Sequence, residues 1–246
     1  MVELVIVIVV LGILGAMGAE FISQAFKGFF DTDIRMEMYE EGKSALVRME
    51  REIHIAVPNA VEVSTVTLPG DTISFGVIDE NAMAGVFGQY MEEHPTDTKI
   101  ITDKLASLSN NLLVSIYNTS WDDFTGGSRV YLVDGTNSVS EIIKQASPYG
   151  RFYYVRDKAV RFEVSTVGTL QRRTAPVDEH SVDLAGFTSS PQDPLAKNVT
   201  QIPGLDFFTY TPGTSTRNSV VTINFAISRN GETVTFHKEI QVRNVP

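Results

Sequence analysis

The chain has 246 residues, a formal net charge of -10 and no cysteine. The acidic balance argues against a nucleic-acid partner, which needs a clustered basic face, and against simple electrostatic docking on anionic lipid. The absence of cysteine excludes a disulfide framework, a thiol nucleophile and a Cys-based metal site, and the length suits one sizeable domain with a terminal element, or two small domains.

The first element is apolar. In "MVELVIVIVVLGILGA", Glu3 stands at the head of a run from Leu4 to Ala19 that holds no other charge. That run gives roughly 24 Å of helix at about 1.5 Å per residue, short of the ~30 Å hydrocarbon core of a bilayer. The helical pattern continues through "EFISQAFKGFF", with Phe21, Ile22, Ala25, Phe26, Phe29 and Phe30, so a span is in reach when both ends contribute. No basic residue precedes the run and the pattern does not break after it, which disfavours a cleaved secretory signal. A signal anchor and a buried core helix remain compatible with the same pattern.

A carboxylate at mid-span costs ~2.5 to 3.5 kcal/mol, and somewhat less near an end. A neighbouring cation offsets that cost, but the first Lys or Arg of the chain is Lys27, about six turns further along the helix. The partner of Glu3 is therefore an α-amino group or a residue of another chain. Gly12, Gly15 and Gly18 recur every third residue. They suit either plain glycine tolerance in membrane helices or close packing of a second backbone.

These residues resemble the start of a mature type IV pilin, whose usual form is Phe-Thr-Leu-Ile-Glu-Leu followed by an apolar run containing Gly-Ile-Leu. The resemblance implies a membrane-stored filament subunit. In that family a prepilin peptidase removes a basic leader after a glycine, and the glutamate pairs with the terminal amine of a neighbouring subunit during assembly. On this alignment Glu3 is the assembly glutamate, and the leader belongs upstream of Met1.

Apolar residues then fall at Phe30, Ile34, Met38, Ala45, Met49, Ile53 and Ala56, the spacing of one helix face. Asp31, Arg35, Glu41, Lys43, Arg48 and Glu52 occupy the other face, with Asp31–Arg35 and Arg48–Glu52 at i,i+4. Those charges read most simply as a solvated face. Pro58 is expected to stop the helix and to hold Val57 extended. The expected divisions are a transmembrane or filament-core helix over 1–26, its amphipathic continuation over 27–57, and a β-rich head over 58–246.

The head reads as strands. "AVEVSTVTLPGDTISFGVI" is a hairpin around Pro69-Gly70-Asp71, and "LLVSIYN", "RVYLVDG", "RFYYVRD" and "AVRFEVS" are short β-rich runs. "SVVTINFAISRNGETVTFHKEIQV" is split by Asn230-Gly231, the favoured type I′ turn pair. Pairing outward from that turn sets Arg229 opposite Glu232, Ile227 opposite Val234, Phe225 opposite Phe236 and Val221 opposite Ile240. Asp79 to Asn111 and Thr174 to Pro203 look irregular, each holding a short helix or a loop over the sheet.

No catalytic set emerges. "MEEHPTD" gathers Glu92, Glu93, His94 and Asp97, and "SWDDFTGG" gathers Asp122 and Asp123. The first reads as a solvated acidic loop and the second as a hairpin connection without calcium-loop spacing. Asn118-Thr-Ser and Asn198-Val-Thr match the glycosylation sequon, read as coincidental. Trp121 is either a core residue or a platform for a sugar. No metal site and no cofactor is expected.

"LVRMEREIHIAVPNAVEV", which carries the helix end and the Pro58-Asn59 head junction, is similar to MshO-type minor pilins of the mannose-sensitive haemagglutinin (MSHA) pilus. "GRFYYV" and the closing "VRNVP" are similar to the same group. The resemblance implies an α+β pilin fold, a long N-terminal helix on an antiparallel sheet. It also implies a non-enzymatic, low-copy subunit that initiates or caps a pilus. Its partners are then other major and minor pilins, reached through the N-terminal helix, with the inner membrane as its store. The J-type pseudopilins of type II secretion share that plan. A membrane-anchored periplasmic glycan-binding or tip-adhesin domain using the Trp121 loop or the Asp79–Asn111 region is the rival of a different class.

Overall fold

The computed structural model describes residues 2–64, 71–83, 112–126, 129–133, 138–139, 142–143, 147, 150, 152–179, 181–213 and 217–242. The Pro69-Gly70 turn, the "MEEHPTD" stretch and "DKLASLS" lie outside the described residues. In chain order the elements are α1 (Val2–His54), β1 (Ala56–Ser64), β2 (Thr72–Val77), α2 (Glu80–Met83), β3 (Leu113–Ser115), α3 (Trp121–Thr125) and β4 (Val130–Leu132). They continue with β5 (Tyr153–Val155), β6 (Lys158–Val164), β7 (Leu170–Asp178), β8 (Ser181–Val182), α4 (Gly186–Ser189), β9 (Asp193–Ala196), β10 (Val199–Thr200), β11 (Phe208–Thr211), β12 (Val220–Arg229) and β13 (Glu232–Gln241). This is an α+β chain: one long apolar N-terminal helix followed by antiparallel sheets.

Helix α1 runs unbroken for 53 residues, roughly 80 Å at about 1.5 Å per residue. It ends at His54, three residues ahead of the expected Val57, and Pro58 lies inside β1. The cause is sheet pairing. The Ile55 carbonyl accepts the N–H of Ile78 at 2.9 Å, so the chain enters the ladder before proline can act. Pro58 is tolerated because β1 pairs with β2 alone and sits at the edge of its sheet. Asn59 adopts φ 58°, a left-handed conformation that Asn accepts better than most side chains. Its side-chain N–H donates to the Asn118 carbonyl at 3.2 Å. The β1–β2 register shifts across this point, between Ala56 and Val61.

The first sheet has the order β1-β2-β6-β7-β8, with β9 also on β7, and the second has β10-β12-β11, with β13 on β12. A small third sheet has the order β4-β3-β5. Met38, Ala45, Met49 and Ile53 of α1 share one core with Ile73, Phe75 and Phe162 of the first sheet and Val221, Phe225 and Ile240 of the second. Strand alternation sends the intervening residues to the opposite face of the first sheet. There Trp121, Phe124 and Phe187 join Ala159 and Ala175 in a second core.

The predicted register of the Asn230-Gly231 hairpin holds at all four expected pairs, Arg229↔Glu232, Ile227↔Val234, Phe225↔Phe236 and Val221↔Ile240. The β1–β2 hairpin is also present. The stretch from Thr174 to Pro203 is more ordered than its composition implies. It holds the end of β7, β8, α4, β9 and β10, because short edge segments satisfy their backbone on β7 and β12. Phe30 stays 58% exposed, so the packed face of α1 begins only around Ile34 and Met38.

Candidate functional site: the bare half of the N-terminal helix

Every described residue from Val2 to Phe30 is exposed. A helix that is apolar on all sides needs apolar surroundings on all sides. Here Leu4 is 67% exposed, Val10 48% and Phe21 74%, and among the described residues no part of the head covers them. The helix is long and apolar enough to cross a membrane. An uncovered apolar surface of this extent marks a membrane or protein contact.

Glu3 lies in the first turn of α1. The unpaired N–H groups of that turn favour an acid there by ~0.3 to 1 kcal/mol. That is smaller than the ~2.5 to 3.5 kcal/mol cost of an acid in mid-membrane. The dipole alone therefore does not account for the residue in lipid. The closest basic residue along α1 is Lys27, an axial rise of roughly 36 Å away. Gly12, Gly15 and Gly18 carry open space: a Cβ built at each meets nothing within 4 Å. The three leave a low strip on the rod where a second backbone can approach.

The head grips α1 just below this bare region, by charge as well as packing. The two tip residues of the β12–β13 hairpin face one another in register, yet each turns to the helix. The Arg229 Nη1 donates to Glu37 Oε1 at 3.0 Å, and its Nη2 pairs with Glu41. Arg35 Nε donates to Glu232 Oε2 at 2.5 Å. That hydrogen bond, together with the charge of Glu232, raises the Arg35 pKa. Lower down, Lys238 Nζ lies 2.9 Å from Glu50 Oε1, and Arg172 Nε donates to Glu52 Oε2 at 2.7 Å. Arg48 meets both Glu52, at 3.4 Å, and Asp193. The charged face expected to be solvated is thus largely a seam to the head. Of the two predicted i,i+4 pairs, Arg48–Glu52 forms, while Arg35 pairs with Glu232.

Packing closes the same seam. A Cβ at Gly42 would overlap the Phe236 ring, so only glycine lets β13 lie this close to α1. Neither Gly42 nor the Arg229 clamp was singled out from the sequence. The available signal was Glu37 and Glu41 at i,i+4 opposite a hairpin tip.

The other predicted positions fall elsewhere. Pro58 and Asn59 form the irregular start of β1, where the chain leaves α1 for the head. Trp121 is 5% exposed and stacked on Phe124 with ring centroids 5.7 Å apart. It presents almost no surface to a sugar. Within the "SWDDFTGG" stretch, Trp121–Thr125 form α3 between β3 and β4, with Ser120 as N-cap and Gly126 as C-cap. Asp123 accepts from the Thr119 backbone and hydroxyl at 2.8 and 2.5 Å. It is a capping residue. Asn118 is buried and donates to Ser115 Oγ at 2.6 Å, whereas Asn198 is exposed in a left-handed turn.

Comparison with family models, with curated proteins and with solved structures gives no match to this chain.

Proposed function

We propose that this chain is a non-catalytic subunit of a type IV pilin-like filament, a minor pilin of the MSHA type that initiates or caps the pilus. The observation that carries the reading is the bare half of α1. It combines apolar surface on every side, Glu3 at its tip, and no Lys or Arg on α1 near enough to neutralise it. The inner membrane covers this surface while the subunit is stored, and the helices of other pilins cover it after assembly. A prepilin peptidase acts on the precursor.

In this reading Glu3 sets register. The terminal amine of a neighbouring subunit meets the carboxylate only at the correct axial offset, and any other offset leaves a charge unpaired in an apolar bundle. Gly12, Gly15 and Gly18 let a neighbouring helix approach closely. The ion-pair seam keeps the head fixed to the lower half of the rod, so that head and filament core move as one.

The test replaces Glu3 by Val in the complete gene and follows the subunit in membranes and in sheared surface filaments. The substituted subunit is expected to remain in the membrane and to be lost from filaments. Normal incorporation of Glu3→Val contradicts the assignment.

A further inference from the structure

The sheet edges of the head differ in how they end. Strand β1 carries Pro58, left-handed Asn59 and a break in register. β9 has four residues including Pro194, β11 has four, and β8 and β10 have two each. Short, bulged or proline-bearing edges resist an added strand. β13 is the contrast. It has ten residues, Glu232 to Gln241, with no proline and an unbroken register against β12.

The outer side of β13 carries free backbone groups. Arg229 and Glu232 flank the Asn230-Gly231 turn and close it, so hydrogen-bonded and non-bonded pairs alternate from there. Ser228 and Asn224, opposite Thr233 and His237, send their N–H groups the other way, to the carbonyls of Asn198 and Phe207 at 3.1 and 2.9 Å. Thr233, Thr235, His237 and Glu239 therefore turn their N–H and C=O groups away from β12, and all four residues are exposed. Among the described residues, the outward group that is taken lies at the far end: the Gln241 carbonyl, 3.2 Å from His54 Nδ1.

A ledge of α1 runs along this edge. Tyr39 stacks on Phe236 of β13, Glu50 pairs with Lys238, and His54 meets Gln241. Tyr39, Lys43, Val47, Glu50 and His54 follow one another at steps of four, four, three and four, which is one stripe of a helix. Tyr39 is 51% exposed and Val47 56%. Lys43 Nζ lies 5.8 Å from the centre of the Tyr39 ring, and among the described residues it has no ion pair. A strand laid against β13 sends alternate side chains onto this ledge, and the others outward beside Thr233, Thr235 and Glu239.

We propose that β13 receives an extended segment of a different polypeptide as an added antiparallel strand. The ledge-facing side chains of that segment are apolar, with one carboxylate opposite Lys43, and its outward side chains are polar. A second β13 does not fit. β13 runs in the direction of α1, from the Arg35–Glu232 pair to the His54–Gln241 contact. Antiparallel pairing of two copies would set their rods in opposite directions, which anchoring side by side in one membrane forbids. The proposal is independent of the filament reading, since it concerns the head and is tested without assembly.

The test adds a synthetic decapeptide of alternating Thr and Val, with Glu in place of the central Val, to full-length protein in detergent micelles. Amide hydrogen exchange is read residue by residue by NMR. The amides of Thr233, Thr235, His237 and Glu239 are expected to slow roughly tenfold, while those of Val234, Phe236 and Lys238, already bonded to β12, stay unchanged. Replacing the peptide's Glu by Lys should weaken binding about threefold, and Lys43→Gln should erase that difference. Thr235→Pro removes an outward donor and spares the β12 ladder. It should weaken binding roughly tenfold with the slow exchange of Phe236 preserved. A peptide N-methylated at the amides that face β13 tests the same bonds on the unaltered protein and should bind as weakly. Unchanged exchange at the four outward amides in millimolar peptide, an N-methylated peptide that binds as tightly as its parent, or a preference for the Lys peptide overturns the proposal.

Discussion

Gly42 of α1 lies directly against the ring of Phe236 on β13, with no room between them for a Cβ. The ring cannot easily retreat. It stacks on Phe225 at 4.9 Å and on Tyr39 at 6.4 Å between centroids. Gly42→Ala brings two opposed effects. Alanine favours an exposed helix by ~1 kcal/mol over glycine, while overpacking a filled site costs ~1 to 3 kcal/mol. With the added Cβ 2.1 Å from Phe236 Cζ, the overlap falls in the upper part of that range and is expected to win, with a net loss of about 1 to 2 kcal/mol in denaturant unfolding of the full chain in micelles. A Gly42→Ala protein as stable as the parent would show that β13 does not depend on this approach.

The clamp at the hairpin tip is separable by a double-mutant cycle. Arg229 and Glu41 are both mostly buried, and their coupling, measured with Arg229→Met and Glu41→Gln, is expected near 1 kcal/mol. The Arg35–Glu232 pair has a largely exposed arginine, so its coupling should be smaller and should fade with added salt. Equal coupling in both cycles would mean that burial does not decide their strength.

The parts of the fold legible in the sequence are those fixed by local chemistry. Asn230-Gly231 sets a turn type, and period-two alternation on either side then dictates each pair from Val221↔Ile240 to Arg229↔Glu232. The apolar run from Leu4 reads as a rod for the same local reason. The seam was not legible, because Glu41 and Arg229 are joined only by the tertiary fold, and a charge at i,i+4 spacing looks the same whether it faces water or a sheet. Gly42 was hidden because glycine in a helix normally signals weakness. Pro58 misled by its usual role, since pairing of Ile55 with Ile78 had already ended the helix. The short strands after Thr174 were masked by Gly, Ser and Pro content, which edge strands tolerate.

Asp123 carries a pH signature. Burial pushes its carboxyl upward, but hydrogen bonds from the Thr119 hydroxyl and N–H, the charge of Arg129 and the Ser120 backbone together hold it below the ordinary aspartate value. An aspartate depressed by folding contributes stability above its unfolded pKa, roughly 3.9, and loses that contribution as pH falls through the folded value. Asp123→Asn should therefore cost stability at neutral pH, and its deficit should shrink as pH is lowered from about 5 toward 2. A deficit that stays constant over that range would remove the carboxylate from the account.

Trp121 is the sole tryptophan, so its emission reports one site. Buried against Phe124, it should emit at short wavelength and resist iodide quenching in the native protein, with both properties lost on unfolding. Ready quenching in the native state would place the indole at the surface and restore it as a ligand platform.

The central claim is that the bare half of α1 is covered by other pilin helices. Leu14 is 59% exposed midway along it. A photoreactive benzoylphenylalanine substituted there, in the subunit expressed from its complete gene, samples whatever lies against the rod. The account predicts protein adducts in sheared surface filaments, mapped by mass spectrometry to the N-terminal helices of other subunits and abolished by Glu3→Val. Adducts with lipid alone, or protein adducts that persist unchanged without the Glu3 carboxylate, would contradict it.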